Sequence, residues 1–163
     1  MLDRPLAALV GLFLIVGCDS SGVAPVPVGD SPAWDAMLAA VNTARATGAV
    51  CGGRWHPPAE PLVWDRRLET AAERHADDMS RHGHFDHRGT DGRDPGDRVR
   101  QAGYDWWAVG ENIARYQVSV DQVVEDWLES PGHCRQMLNP AYLELGAAEI
   151  DGYWTQVFGT ARG

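Results

Sequence analysis

The sequence contains no lysine, and all fourteen of its basic residues are arginines. Against these stand 23 acidic residues, so the 163-residue chain carries a formal net charge of −9. The basic stripe that a phosphate backbone requires is missing, and we therefore expect no nucleic-acid partner. Hydrophobic residues make up 44% of the chain and charged residues 23%, which is typical of a single globular domain.

Several common catalytic and nucleotide-binding motifs are also missing. The sequence has no His-Glu-x-x-His helix, no Gly-x-Ser-x-Gly elbow, no Walker loop and no dinucleotide-binding glycine fingerprint. Long hydrophobic runs are scarce as well. The apolar run over residues 6–17 holds twelve residues, too few to span a hydrocarbon core of about 30 Å.

That apolar run has the character of an export signal. Arg4 precedes it, and its length fits the central region of a signal peptide, so we predict a signal peptide over residues 1–17. It ends in Gly17-Cys18, which resembles a bacterial lipobox, in which the cysteine is lipidated and becomes the mature N-terminus. An ordinary cleaved signal, with Cys18 incidental, is the alternative. Lipidation at Cys18 would anchor the protein to a bacterial membrane, on its periplasmic or extracellular face.

After Cys18 the chain divides into a tether and one domain. Residues 18–30 are rich in proline, glycine, serine and valine and show no periodicity, which predicts a tether. Residues 31–163 form the predicted domain. If Cys18 carries lipid, Cys51 and Cys134 remain as an even pair in an oxidising compartment, and we predict a disulfide between them. Two free thiols, or a nucleophilic Cys134 beside His133, are the alternatives.

Helical signals dominate the predicted domain. Ser31-Pro32 and Asp65 are N-cap signals for two long helices, and shorter helices are predicted over residues 97–102, 120–128 and 131–138. Strands are predicted over residues 107–114, 142–150 and 153–158, the last two joined by Asp151-Gly152, a pair favoured in type I′ turns. Residues 48–61 are predicted to be a loop. The pattern indicates an α+β domain with helices around a small antiparallel sheet.

The candidate site residues are histidines and one carboxylate. His87 lies in a polar, glycine-rich segment together with His82 and His84, and His133 lies in the first turn of a short predicted helix. Glu111 falls in a predicted strand, where an unpaired carboxylate is costly, so we expect a partner for it, either an arginine or a histidine.

Six ordered motifs carry a resemblance to a known family. They are Leu62-x-Trp64-Asp65-x-x-Leu68, Ala72-x-x-His75-Ala76-x-x-Met79, Phe85-Asp86-His87, Gly110-Glu111-Asn112-Ile113-Ala114, Trp127-x-x-Ser130-Pro131-Gly132-His133 and Tyr153-Trp154-Thr155-Gln156-Val157-Phe158-Gly159. Together, over about residues 33–160, they resemble the bacterial branch of the CAP superfamily: cysteine-rich secretory proteins, antigen 5 and pathogenesis-related proteins, also called the SCP domain. The resemblance implies an α-β-α sandwich with a small antiparallel sheet between helical layers.

The resemblance also implies a ligand cleft, which two histidines and two glutamates line in eukaryotic members. His87 and Glu111 match the first histidine and the first glutamate. The second glutamate falls on Ser130 here and the second histidine on Tyr153, so half of the family set is kept. His133 is the candidate for the missing imidazole. The predicted cleft therefore consists of His87, Glu111, Ser130, His133 and Tyr153.

Two classes of function follow from these residues. Because the family set is incomplete, we favour a non-catalytic binding module for a small molecule, a lipid or an envelope component. The alternative is a hydrolase in which His87, Glu111 and His133 hold zinc or another divalent metal, or perform general acid–base chemistry.

Overall fold

The computed structural model describes residues 32–163. The predicted signal peptide, the predicted lipidation site Cys18 and the predicted tether lie outside the described residues. Within residues 32–163, no helix combines the length and the apolar character needed to cross a membrane.

The described residues form five helices and six strands. The helices are α1 Pro32–Thr47, α2 Arg66–His82, α3 Pro95–Gln101, α4 Val120–Glu129 and α5 Pro131–Met137. The strands are β1 Ala49–Cys51, β2 Arg54–His56, β3 Val63–Trp64, β4 Trp106–Arg115, β5 Glu144–Ile150 and β6 Tyr153–Ala161. Helix starts follow the cap signals: the Asp65 side chain accepts from the backbone N–H groups of Arg67 and Leu68, and α3 begins with a capping box of Asp94 and Asp97.

A four-stranded sheet in the order β3-β5-β6-β4 forms the middle layer. Strand β6 pairs antiparallel with both β4 and β5, so β4 lies at the edge of the sheet. The β5–β6 turn has positive φ at both Asp151 (51°) and Gly152 (81°), as a type I′ turn requires.

Helices cover both faces of this sheet. On one face α2 packs its small residues Ala71, Ala72 and Ala76 against Ala148 and Val157. On the other face the core is formed by side chains of α1, α4 and α5 with the sheet, including Met37, Val41, Val123, Trp127, Met137 and Phe158. The predicted α+β sandwich with a sheet between two helical layers is therefore confirmed.

Two details differ from the prediction. Residues 48–61 are not all loop, because β1 and β2 form an antiparallel hairpin turned by Gly52 and Gly53, whose φ values are 60° and 83°. Strands of three residues are too short to show an alternating pattern, which is why composition alone indicated a loop. The sheet is also not purely antiparallel, since the two-residue β3 pairs parallel with β5.

A disulfide joins Cys51 at the end of β1 to Cys134 in α5, with a Cα–Cα distance of 5.5 Å. The predicted pairing is therefore confirmed, and the sulfur of Cys134 is bonded and cannot act as a nucleophile. The bond ties the β1–β2 hairpin to the short helix that carries His133.

Candidate functional site

The site lies where the edge strand β4 meets both helical layers. Glu111 pairs with Val157 in the β4–β6 ladder and points to the face that α2 covers. The next residue, Asn112, points to the opposite face, where its Nδ2 donates to the backbone oxygen of His133 in α5 at 3.3 Å. Adjacent residues of one strand therefore contact the two helical layers.

Glu111 is the most completely paired group of the site. Its side chain is 1% exposed, and its Oε2 accepts a hydrogen bond from Arg98 Nη2 at 2.7 Å. Its Oε1 lies 2.8 Å from His87 Nδ1, which donates when it carries a proton. The sequence left open whether an arginine or a histidine would partner this carboxylate, and the structure supplies both.

Arg98 is a site residue that the sequence analysis did not identify. Its side chain is 6% exposed, and besides Glu111 it donates to the backbone oxygens of Arg93 at 3.0 Å and His87 at 2.9 Å. It therefore holds both the glutamate and the loop that carries His87. The only sequence signal for Arg98 was that Glu111 needs a partner. Charged residues in a short helix are usually exposed to solvent, so the sequence did not single out Arg98.

A fully buried histidine lies behind this ion pair. His75 on α2 has its Nε2 3.7 Å from Glu111 Oε1, beyond hydrogen-bond distance. Burial lowers its pKa, because removal from water disfavours the charged imidazole. His75 therefore packs as a neutral ring against the carboxylate that His87 and Arg98 bind.

The two half-buried histidines of the site have opposite pKa shifts. The hydrogen bond to the Glu111 carboxylate raises the pKa of His87. Burial lowers the pKa of His133, and the nearby His87 lowers it further. Below neutral pH, His87 is thus the imidazole that takes up a proton first.

The structure brings three of the predicted residues to one cavity. His87, Glu111 and His133 line a cavity of about 470 Å³ with four other polar side chains, those of Asn112, Arg135, Gln136 and Asn139. An adjoining cavity of about 500 Å³ shares His87, Glu111 and Gln136 and reaches Trp106. The two cavities follow the edge of β4 and form one cleft, which is polar around His133 and more apolar around Trp106.

The other two predicted residues lie elsewhere. Ser130 sits between α4 and α5 and lines a separate cavity of about 300 Å³ that also contacts His133. Tyr153 is opposite Arg115, whereas Glu111 is opposite Val157. Four residues of strand correspond to about 13 Å, so the structure does not bring Tyr153 to Glu111.

Arg45 shapes the cleft from behind and was also missed. It is fully buried in α1, and its guanidinium donates to four backbone oxygens, those of Glu60, Met137, Asn139 and Tyr142. These bonds fix the segment after α5 and so place Asn139 on the cleft. A polar residue at the end of a predicted amphipathic helix gives no sign in the sequence that it is buried.

The donor set does not fit zinc or another divalent metal. Within residues 32–163, no group of three histidine, cysteine, aspartate or glutamate side chains is arranged to hold a metal ion. Both oxygens of Glu111 already have partners, and one of these is a guanidinium, whose positive charge would repel a metal cation.

The cleft also offers little nucleophilic chemistry. Among the described residues that line its two cavities, none carries a hydroxyl or a thiol. An imidazole there could act only on a water molecule or on a bound ligand. The arrangement is suited to binding polar groups.

Comparison with known proteins places this fold in one family. Residues 38–158 match the model of the cysteine-rich secretory protein family, also known as CAP. The chain belongs to this family. The resemblance carried by the six motifs is therefore confirmed for this CAP domain, with His87 and Glu111 inside the matched residues.

Three relatives illustrate the match. Uncharacterized protein YkwD of Bacillus subtilis is 33% identical over 101 residues, which cover 61% of this chain and 39% of YkwD. The crystal structure of an extracellular SCP-domain protein from Bacillus anthracis is 30% identical, with a TM-score of 0.61, over 62% of this chain and 34% of that one. An outer surface protein from Borrelia burgdorferi shares the fold at 22% identity, with a TM-score of 0.58, over 64% of this chain and 80% of that one. The CAP domain spans only about two fifths of YkwD.

Proposed function

We propose that this CAP domain is an exported, lipid-anchored binding module whose cleft takes a small molecule, a lipid or another envelope component without changing it chemically. The observation that carries the proposal is the paired state of Glu111. A buried carboxylate that is already bonded to Arg98 and His87 is held in one orientation at the cleft. Such a group orients polar ligands and has no spare oxygen for a metal.

Three observations support export and anchoring. The Cys51–Cys134 disulfide is typical of an oxidising compartment. Two relatives of known structure are described as an extracellular protein and an outer surface protein. Gly17-Cys18 after an apolar run resembles a lipidation site.

Detergent phase separation tests the anchor. We expect the wild-type chain to partition into the detergent phase and the Cys18→Ser variant to partition into the aqueous phase while remaining folded. Equal partitioning of the two chains would remove the lipid anchor from the proposal and leave the binding module.

Histidine ring signals in NMR spectra test the binding module. A polar extract and a lipid extract of bacterial envelopes are added separately to the full-length chain in detergent. We expect one of them to shift the signals of His87 and His133, with His56 and His82 as internal controls, and the ligand to be recovered unchanged. If no extract shifts either cleft histidine, the module proposal fails.

One observation favours the hydrolase as a second candidate. His87 Nδ1 is held by Glu111 at 2.8 Å, and the His87 side chain is 51% exposed, so the ring is oriented by a carboxylate and reachable from the cleft. An imidazole held in this way can act as a general base or acid toward water. Recovery of a cleaved envelope component with wild-type protein in a chelator, and of intact component with His87→Gln, would favour this candidate over the module.

A further inference from the structure

The cavity of His87 and His133 has little negative charge, although the chain as a whole is strongly acidic. The chain carries −9 in total, yet Glu111 is the only carboxylate among the residues that line the cavity of His87 and His133. Arg98 neutralises that carboxylate from behind, at 2.7 Å. The charge that remains toward the cavity comes from Arg135 and from His87 when it is protonated.

Arg135 is the free cation of this cavity. Its side chain lines the cavity from α5, and its guanidinium makes no ion pair or hydrogen bond within residues 32–163. Arg98, in contrast, uses both of its Nη groups on Glu111 and two backbone oxygens. A free guanidinium has five N–H donors in a planar fork, which suits a carboxylate or a phosphate. Arg135 therefore provides a place for an acidic group.

A second feature of this cavity favours a ligand that also carries a hydrogen-bond donor. Asn112 is fully buried and lines this cavity, and its Nδ2 donates to Gln156 Oε1 and to the His133 backbone oxygen. Its Oδ1 has no hydrogen-bond partner among the described residues. A buried oxygen without a donor is costly, so a ligand that brings a hydroxyl or amide N–H to it gains free energy beyond the contact itself.

We propose that the cleft recognises an acidic saccharide, with the acid group on Arg135 and His87 and a hydroxyl or amide group on Asn112 Oδ1. The acidic and donating groups of one compact ring match the free Arg135 guanidinium and the unpartnered Asn112 Oδ1 at this cavity of about 470 Å³. The inference rests on the proposed binding module and names the class of its ligand.

The test uses three probes that divide the ligand into its parts. Full-length chain, purified in a polyoxyethylene detergent without sugar headgroups, is titrated with glucuronate, glucose and acetate while the histidine ring signals are recorded. We expect glucuronate to shift His87 and His133 with a dissociation constant at least tenfold below those of glucose and acetate. Equal affinity for glucose overturns the acidic part, and equal affinity for acetate overturns the saccharide part.

A pair of matched variants links the binding to the cation. Arg135→Gln is expected to weaken glucuronate binding about tenfold and to leave glucose binding unchanged, because one charge-assisted contact is lost. Arg74→Gln, the same change at an exposed helical arginine outside this cleft, is the control and is expected to change neither. Equal weakening by both variants would show screening by overall charge and overturn the site.

The extract experiment separates this inference from the proposed function. If an envelope extract shifts His87 and His133 while glucuronate does not, the acidic-saccharide inference is wrong and the binding module stands. If neither extract nor probe shifts these signals, both fall.

Discussion

The two walls of the cleft use the same residue type in opposite ways. On the wall built by β4, α3 and the loop that precedes α3, His87 is joined to a buried ion pair, with both Glu111 oxygens in use. On the wall built by α5, the His133 ring lies edge-on to Trp127 at a ring distance of 6.5 Å and makes no hydrogen bond within residues 32–163. The first wall is held by charges and the second by a disulfide at the next residue, Cys134.

The pKa shifts follow from this difference. A carboxylate stabilises the protonated form of His87, whereas burial near another cation disfavours the protonated form of His133. The Glu111 carboxylate and the burial of His133 therefore shift the pKa values of two imidazoles that share one cavity in opposite directions. The difference between the two histidines comes from the groups around them, and mutation can remove those groups.

Removal of Arg98 is expected to have the largest effect. Arg98→Met leaves the buried Glu111 carboxylate without its guanidinium, and breaking a buried pair in this way costs about 3–5 kcal/mol. We expect a corresponding loss in the free energy of unfolding, measured by urea denaturation. The double variant Arg98→Met/Glu111→Leu is the control, and it should recover most of the loss, because no unpaired charge remains. A double variant as unstable as the single one would show that packing, not charge, holds this wall.

Breaking the disulfide tests the second wall. Cys51→Ser with Cys134→Ser removes a bond between residues 83 positions apart, and in the chain-entropy model such a bond contributes roughly 4 kcal/mol. Helix α5 has seven residues and is marginal without tertiary contacts. We expect a lower melting temperature and, below it, broadened ring signals of His133 with sharp signals of His87. Equal broadening of both would contradict the separate support of the two walls.

Much of the fold was predictable because its signals are local. Caps such as Asp65 and the Asp151-Gly152 turn act within a few residues, and each gave the correct element. The hairpin at Gly52-Gly53 was missed because its strands are too short for periodicity. The disulfide could be predicted by counting, since only two cysteines remain after Cys18.

Only some of the ionisable residues of the site could be predicted from the sequence. His87, Glu111 and His133 stand out as histidines and a carboxylate outside apolar faces, but Arg98 and Arg45 do not. Arg45 acts on the Met137 oxygen 92 residues on, and Arg98 binds Glu111 in a different element, 13 residues on. Burial of a charge is a tertiary property, so the sequence indicated the need for a partner and not its position.

Direct titration should show the asymmetry of the two histidines. In wild-type protein we expect His87 to titrate above the ordinary value of about 6.5 and His133 below it. In Glu111→Gln the pKa of His87 should fall, because the carboxylate that accepts its hydrogen bond is gone. The pH dependence of the ring-carbon proton shifts measures both values. An unchanged pKa of His87 in Glu111→Gln would assign its shift to another group.

The smallest expected effect is on the pH dependence of stability, and its sign differs between the walls. A histidine whose pKa is raised by folding stabilises the folded state fully below the unfolded value near 6.5, and this contribution disappears as the pH rises through the folded value. His87→Gln should therefore lower the free energy of unfolding most near pH 5.5 and little near pH 9.

A histidine whose pKa is lowered by folding costs stability as the pH falls below 6.5, since the unfolded chain then binds the proton first. His133→Gln should accordingly remove part of the acid destabilisation of the wild type. Urea midpoints at pH 5.5 and 9 measure both variants, and since both side chains are partly exposed the differences will be small. Opposite signs would confirm that folding shifts the pKa values of the two histidines in opposite directions, whereas equal signs would contradict it.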